Sequence, residues 1–147
     1  MAAVRRASAT WEGDLLSGKG RVSANSSRAF SDLAVTWASR TEEPDGRTSP
    51  EELIAAAHAA CFSMALSAGL GRAGRPPERL DVTATVTFDN VGGGWKVASS
   101  ALTVRGRVPG MTAAELRSAA EAAKDGCPVS QALKGNVQLS VEATLES

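Results

Sequence analysis

One stretch constrains this chain more than any other: SPEELIAAAHAACFSMALSAGL, residues 49–70. It opens with a helix start. Ser49 is placed to cap, Pro50 sits at the first helical position, and Glu52 completes capping-box spacing. From Leu53 to Leu70, 18 residues carry no formal charge, so the predicted helix is apolar on nearly every side. Such a helix either crosses a membrane or fills the centre of a globular domain. Seven alanines and the interruptions His58, Ser63, Ser67 and Gly69, without aromatic belts or a flanking basic cluster, argue for burial over a membrane span.

The pattern on either side fits a domain built around that helix. SATWEGDLLSGKGRVSAN reads as two short strands joined by a glycine-containing turn, and AFSDLAVTWAS as a third strand. RTEEPDGRTSP is a polar loop. LDVTATVTFDN alternates strictly, VGGG is a turn, and WKVASSALTVRGRV returns as the second arm of a hairpin. TAAELRSAAEAAK is a helix with Thr112 and Glu115 as its capping box. In GCPVSQALKG, Gly126 suits a helix end and Pro128 the first turn of a short helix. NVQLSVEATLES alternates again. The expectation is a single α+β domain over residues 1–147, with helices covering a largely antiparallel sheet.

Composition narrows the function classes. Lys plus Arg and Asp plus Glu both number 16, so nothing points to a nucleic-acid surface. The opening MAAVRRASATWEGD has no apolar run after its charges and does not read as an export signal. A cytoplasmic, reducing setting is expected, in which a permanent disulfide is unfavoured and a transient one is possible. Two cysteines 66 positions apart and one histidine fit no zinc pattern. No metal and no cofactor are expected.

Three residues offer thiol chemistry. Cys61 lies mid-helix, where a free cysteine commonly packs as a small hydrophobe. His58, three residues earlier, shares nearly its face and could act as a base, but a hydrogen bond to a neighbour is the simpler role. Cys127 falls at the predicted start of a short helix, a position that favours a thiolate. On physical grounds alone Cys127 is the better nucleophile. A thiol of ordinary pKa is only roughly 3 % ionised at pH 7, so a reactive Cys61 would need a cation. Arg40 and Arg47, in the loop before the helix, are the nearest in sequence.

SPEELIAAAHAACFSMAL, DGCPVSQALK and WEGDLLSGKGRVS together resemble the OsmC/Ohr family of bacterial organic-hydroperoxide peroxidases, in the same order over essentially the whole chain. HAACFSMAL and CPVSQAL resemble the OsmC branch more than the Ohr branch. The resemblance implies an OsmC-like fold, a peroxidatic Cys61, a resolving Cys127, and an activating arginine and glutamate. Glu51 matches the glutamate by its spacing from Cys61. Arg40 is the expected arginine, with Arg47 in reserve. The implied reaction oxidises Cys61 to a sulfenic acid, closes a Cys61–Cys127 disulfide, and returns both thiols by an external dithiol, a lipoylated protein in this family.

Ten residues separate Glu51 from Cys61, about 15 Å along a helix and roughly 80° around it. One arginine does not easily serve both within one chain. Two such helices packed antiparallel would bring each Glu51 near the partner's Cys61, and the alanines suit close packing. The resemblance likewise implies an intertwined homodimer. Ile54, Phe62, Met64 and Leu66 are expected to line part of an apolar pocket. Two other readings compete: a non-catalytic acyl-binding protein of the same fold, and a regulatory thiol switch.

Overall fold

The structure, a computed structural model, describes residues 1–146. The chain forms two compact units, Met1–Leu53 and the remainder from Ile54. The order is β1 (Ala7–Glu12), β2 (Lys19–Ala24), β3 (Leu33–Val35), α1 (Trp37–Thr41), α2 (Pro50–Arg72), β4 (Arg79–Val91), β5 (Gly94–Arg107), α3 (Ala113–Gly126), α4 (Pro128–Leu133) and β6 (Gln138–Leu145). The α+β class expected from the pattern is what forms.

In the first unit, β1, β2 and β3 make an antiparallel sheet in that order. Gly20 of β2 permits it: a Cβ there would lie 2.7 Å from the Trp11 ring and 2.9 Å from Val35 Cγ2. AFSDLAVTWAS reads as strand through Ser39, but only Leu33–Val35 is strand. Thr36 ends it by capping α1. Its hydroxyl accepts the Ser39 N–H at 3.0 Å, while its own N–H donates to Ser39 Oγ at 3.0 Å. A hydroxyl three residues after a cap outweighs the extended preference of Val35 and Thr36. The Ser39 hydroxyl also donates toward the Thr48 carbonyl oxygen, 2.9 Å away, tying α1 to the segment that leads into α2.

The start of α2 follows its predicted cap in part. Ser49 Oγ accepts the Glu52 N–H at 3.1 Å. Glu52 does not complete the box; its carboxylate takes the Thr48 hydroxyl instead, at 2.6 Å.

In the second unit, β4 and β5 form a long antiparallel hairpin, closed at Val91 and Gly94. Gly92 and Gly93 turn it with φ of 62° and 86°, the left-handed pair that suits the strand twist. The predicted turn and both arms are present. The sheet is mixed, however, because β6 pairs parallel to β5, Ser99 to Gln138 through Gly106 to Leu145. The expected largely antiparallel sheet is therefore two three-stranded sheets, one antiparallel and one mixed. The segment between β5 and β6 carries α3 and α4 and is long enough to reverse the chain and make a parallel crossover.

Phe62, Leu66 and Leu70 of α2, Leu102 and Val104 of β5, Leu116, Ala120 and Ala123 of α3, and Cys127 form the core of this unit. Leu80, Val82, Ala84, Val141 and Ala143 pack against it from the inner faces of β4 and β6. Apolar residues at every second strand position and at four-residue helical steps supply its burial.

The expectation of a helix buried all round is not met within one chain. α2 buries one stripe, Glu51, His58, Phe62, Leu66 and Leu70. Ala56, Ala57, Ala60, Met64, Ser67 and Ala68 are exposed, Met64 by 68 %. By length and composition α2 could cross a membrane, but its stripe packs as the inner face of a core helix does.

Candidate active site

In the first unit, α1 presents Arg40 to the first turn of α2. Arg40 Nε lies 3.0 and 3.1 Å from the two Glu51 carboxylate oxygens, and Nη2 lies 2.9 Å from Oε2. This is a forked, charge-assisted contact, stronger than a single hydrogen bond. The Glu51 side chain is 7 % exposed and that of Arg40 30 %, so the arginine is the less buried partner. Arg40 Cζ also sits 5.9 Å from the centre of the Trp37 ring, within cation–π range. Arg47 is elsewhere, 3.4 Å from Asp45 and exposed. Of the two candidate arginines, Arg40 is the one brought to Glu51. The pattern gave no hint of Trp37, because α1 was unforeseen.

In the second unit, α2 and the α3–α4 junction bring the two thiols together. Cys127 is the last cap of α3 and the first cap of α4, with extended φ and ψ of −62° and 126°. Its N–H donates to the Ala123 carbonyl at 2.9 Å, and its carbonyl accepts the Gln131 N–H at 3.0 Å. The side chain is fully buried, whereas Cys61 is partly exposed, and both are free thiols.

Their environments push them apart. Burial raises the Cys61 thiol pKa, and the neighbouring Cys127 raises it further, against a smaller lowering by the Val129 N–H. Burial also pushes Cys127 up, but Cys61, the Ser130 N–H and hydroxyl, and the Val129 N–H together outweigh it and leave Cys127 low. The Cys127 thiol forms no capping hydrogen bond of good geometry. These donors act on the sulfur electrostatically, favouring its thiolate. The direction agrees with the helix-start reading of Cys127 and disfavours an unaided Cys61 thiolate.

His58 is fully buried beside this pair. Its Nδ1 lies 2.7 Å from Ser100 Oγ of β5 and its Nε2 2.7 Å from Ser130 Oγ of α4. The hydrogen-bonded role expected of His58 is the one it has. Burial lowers its pKa, so it is neutral at pH 7. Ser100 and Ser130 were not foreseen. Ser130 could have been found from its place three residues after Cys127; nothing in the strand pattern singles out Ser100.

Two of the residues expected to line an apolar pocket, Phe62 and Leu66, point into the core. Met64 lies on the opposite, exposed side, because residues two apart on a helix face away from each other. Among the described residues, no group of three or more His, Cys, Asp or Glu is placed to hold a metal ion.

Comparison with known proteins gives a consistent picture. The family model described as OsmC-like protein matches residues 43–142. The chain is 44 % identical over 138 residues to peroxiredoxin OsmC of Escherichia coli strain K12, covering 94 % of this chain and 95 % of that protein. It is 34 % identical over 113 residues to organic hydroperoxide resistance protein OhrA of Bacillus subtilis strain 168, covering 76 % and 77 %. In fold it is similar to an organic hydroperoxide resistance protein of Elizabethkingia anophelis, with a TM-score of 0.76 and 24 % identity, covering 99 % of this chain and all of that one. On this ground, the chain belongs to the OsmC-like protein family.

Proposed function

We propose that this protein is a cysteine-based peroxidase that reduces organic hydroperoxides to alcohols. The observation that carries the reading is the pairing of Cys61 with Cys127 across α2 and the α3–α4 junction, in a chain 44 % identical to a peroxiredoxin. In the proposed cycle the Cys61 thiolate attacks the outer oxygen of the hydroperoxide. The O–O bond breaks, an alcohol leaves with a proton, and Cys61 becomes a sulfenic acid. Cys127 attacks that sulfur, water leaves, and a disulfide forms. An external dithiol then reduces it.

Arg40 and Glu51 supply the activation. Burial and Cys127 disfavour the Cys61 thiolate, so a cation is required. The forked contact with Glu51 fixes a partly exposed guanidinium, suited to stabilising a thiolate and the departing oxygen. Glu51 and Cys61 are ten residues apart on α2, about 15 Å along its axis. We therefore assign the activating Arg40 and Glu51 to a second copy of the chain. The exposed alanine-rich side of α2, with Met64 at its centre, is the face on which two copies would pack. The whole length acts as one OsmC-like domain within that homodimer. The same side offers apolar surface to a carbon-rich peroxide, and the reductant is a dithiol on an apolar arm, of the dihydrolipoyl type. Incubation with cumene hydroperoxide and dihydrolipoamide tests the reading: continuous peroxide consumption supports it, and single-turnover oxidation that stops at the disulfide points instead to a thiol switch.

A further inference from the structure

His58 has no part in the cycle just described, yet it is fully buried and engaged at both nitrogens. A buried imidazole has to satisfy both, and which nitrogen carries the hydrogen is set by its partners. Ser100 Oγ and Ser130 Oγ each lie 2.7 Å away, and both serines are themselves buried, at 0 % and 1 % exposure.

Ser130 decides what the histidine does for the thiols. Cys127 caps α4 and Ser130 is its third residue, the spacing at which a side chain reaches back toward the cap. A hydroxyl has one hydrogen. If His58 Nε2 is bare, the Ser130 hydrogen is taken by His58 and none is left for Cys127. If Nε2 carries the hydrogen, it donates to Ser130 Oγ, and the Ser130 hydroxyl is free to donate to the Cys127 sulfur. The second arrangement requires Nδ1 to accept, and the Ser100 hydroxyl is the donor within reach.

We propose that His58 is a positioning residue: held by Ser100 with its hydrogen on Nε2, it turns the Ser130 hydroxyl onto the Cys127 sulfur and so prepares Cys127 for attack on oxidised Cys61. The polar line runs Ser100 to His58 to Ser130 to Cys127, each hydroxyl or N–H donating to the next. It rests on the reading of Cys127 as the resolving thiol. In that step the Cys127 thiol gives up its proton, its sulfur forms the S–S bond, the Cys61 S–O bond breaks, and the leaving hydroxide takes up a proton as water. A neutral His58 serves this role, and burial keeps it neutral at pH 7. The ionisable groups that bear on Cys127 are Cys61 of α2 and, through Ser130, His58. Lys124 and Asp125 of α3 pair with each other, and Lys124 also with Glu121. Ser100 from β5 is neutral.

The histidine is the only one in the sequence, which makes its tautomer directly readable. Long-range ¹H–¹⁵N correlation spectra of the reduced protein at pH 7.5 are expected to show the hydrogen on Nε2. In a Cys61→Ser background, Ser130→Ala is expected to raise the thiolate midpoint of Cys127 by about one pH unit, and Ser130→Thr to restore it. His58→Leu is expected to shift the midpoint as Ser130→Ala does, and His58→Gln, which keeps a donor, less. Hydrogen on Nδ1, or an unchanged midpoint in Ser130→Ala, would overturn the inference. Neither measurement uses a peroxide, so a failed peroxidase reading and a failed relay are told apart.

Discussion

Arg40 and Glu51 are locked together by three contacts of 2.9–3.1 Å, and the carboxylate is almost wholly buried while the arginine side chain is 30 % exposed. That asymmetry separates two roles that a surface ion pair would merge. The buried carboxylate fixes the geometry of the more exposed arginine.

Removing the arginine leaves a buried carboxylate without its counter-charge, whereas removing Arg47 breaks an exposed contact with Asp45. Arg40→Ala is expected to cost about 2 kcal/mol of stability, and Arg47→Ala less than about 0.5 kcal/mol. Urea denaturation of both variants checks this. The same variants are expected to differ in thiol chemistry, with Arg40→Ala raising the pKa of Cys61 and slowing its oxidation. Thiolate absorbance titrations decide it; an equal or larger effect at Arg47 would remove Arg40 from the site.

His58 also makes stability depend on pH. Its folded pKa lies below the unfolded value near 6.5, so below that value the unfolded chain binds more protons. The stabilising contribution is complete above pH 6.5 and is lost as pH falls from there through the folded value, at most about 1.4 kcal/mol per pH unit. Urea midpoints at pH 7.5 and 5.5 are expected to differ by less in His58→Gln than in the unmodified protein. Equal differences would show that another group carries the acid sensitivity.

How far these features could be read beforehand depended on how local they were. The caps at Ser49 and Thr112, the Gly92–Gly93 turn with its returning arm β5, and the alternation of β4 and β6 are set by residues within a few positions and are legible in the pattern. The strand expected at Trp37 does not form, because a Thr36–Ser39 capping box starts a helix inside that stretch. The parallel pairing of β6 with β5 is a property of the crossover, which no periodicity records. At the candidate site, the family resemblance implied Arg40 as the partner of Glu51 and kept Arg47 in reserve, since only the path of α1 separates the two arginines. Ser100 was illegible because its meaning comes from His58, 42 positions away.

The exposed side of α2 leads to a prediction about assembly. Light scattering is expected to return twice the 15.1 kDa chain mass, and a single-chain mass would end the shared-site account. Glu51→Ala and Cys61→Ser chains are each expected to be nearly inactive alone. Mixed, they are expected to regain activity, since one of the two sites in a mixed dimer keeps both Glu51 and Cys61. Activity no higher than that of either parent would place the whole site within one chain.

Substrate preference follows from the apolar character of that surface. Each carbon removed from water contributes about 0.8 kcal/mol, so cumene and fatty-acid hydroperoxides are expected to react faster than hydrogen peroxide. Dihydrolipoamide is expected to recycle the enzyme faster than glutathione. Second-order rates for each pair test both orders, and a faster reaction with hydrogen peroxide would contradict the account.

The most direct test of the central claim, that Cys61 is oxidised first and Cys127 resolves it, is intact-mass analysis after one equivalent of cumene hydroperoxide. The unmodified protein is expected to lose two hydrogens as the disulfide closes. Cys127→Ser is expected to gain oxygen on Cys61, and Cys61→Ser to stay unchanged. Oxygen on Cys127 in the Cys61→Ser protein, with Cys127→Ser left unoxidised, would reverse the roles and contradict the account.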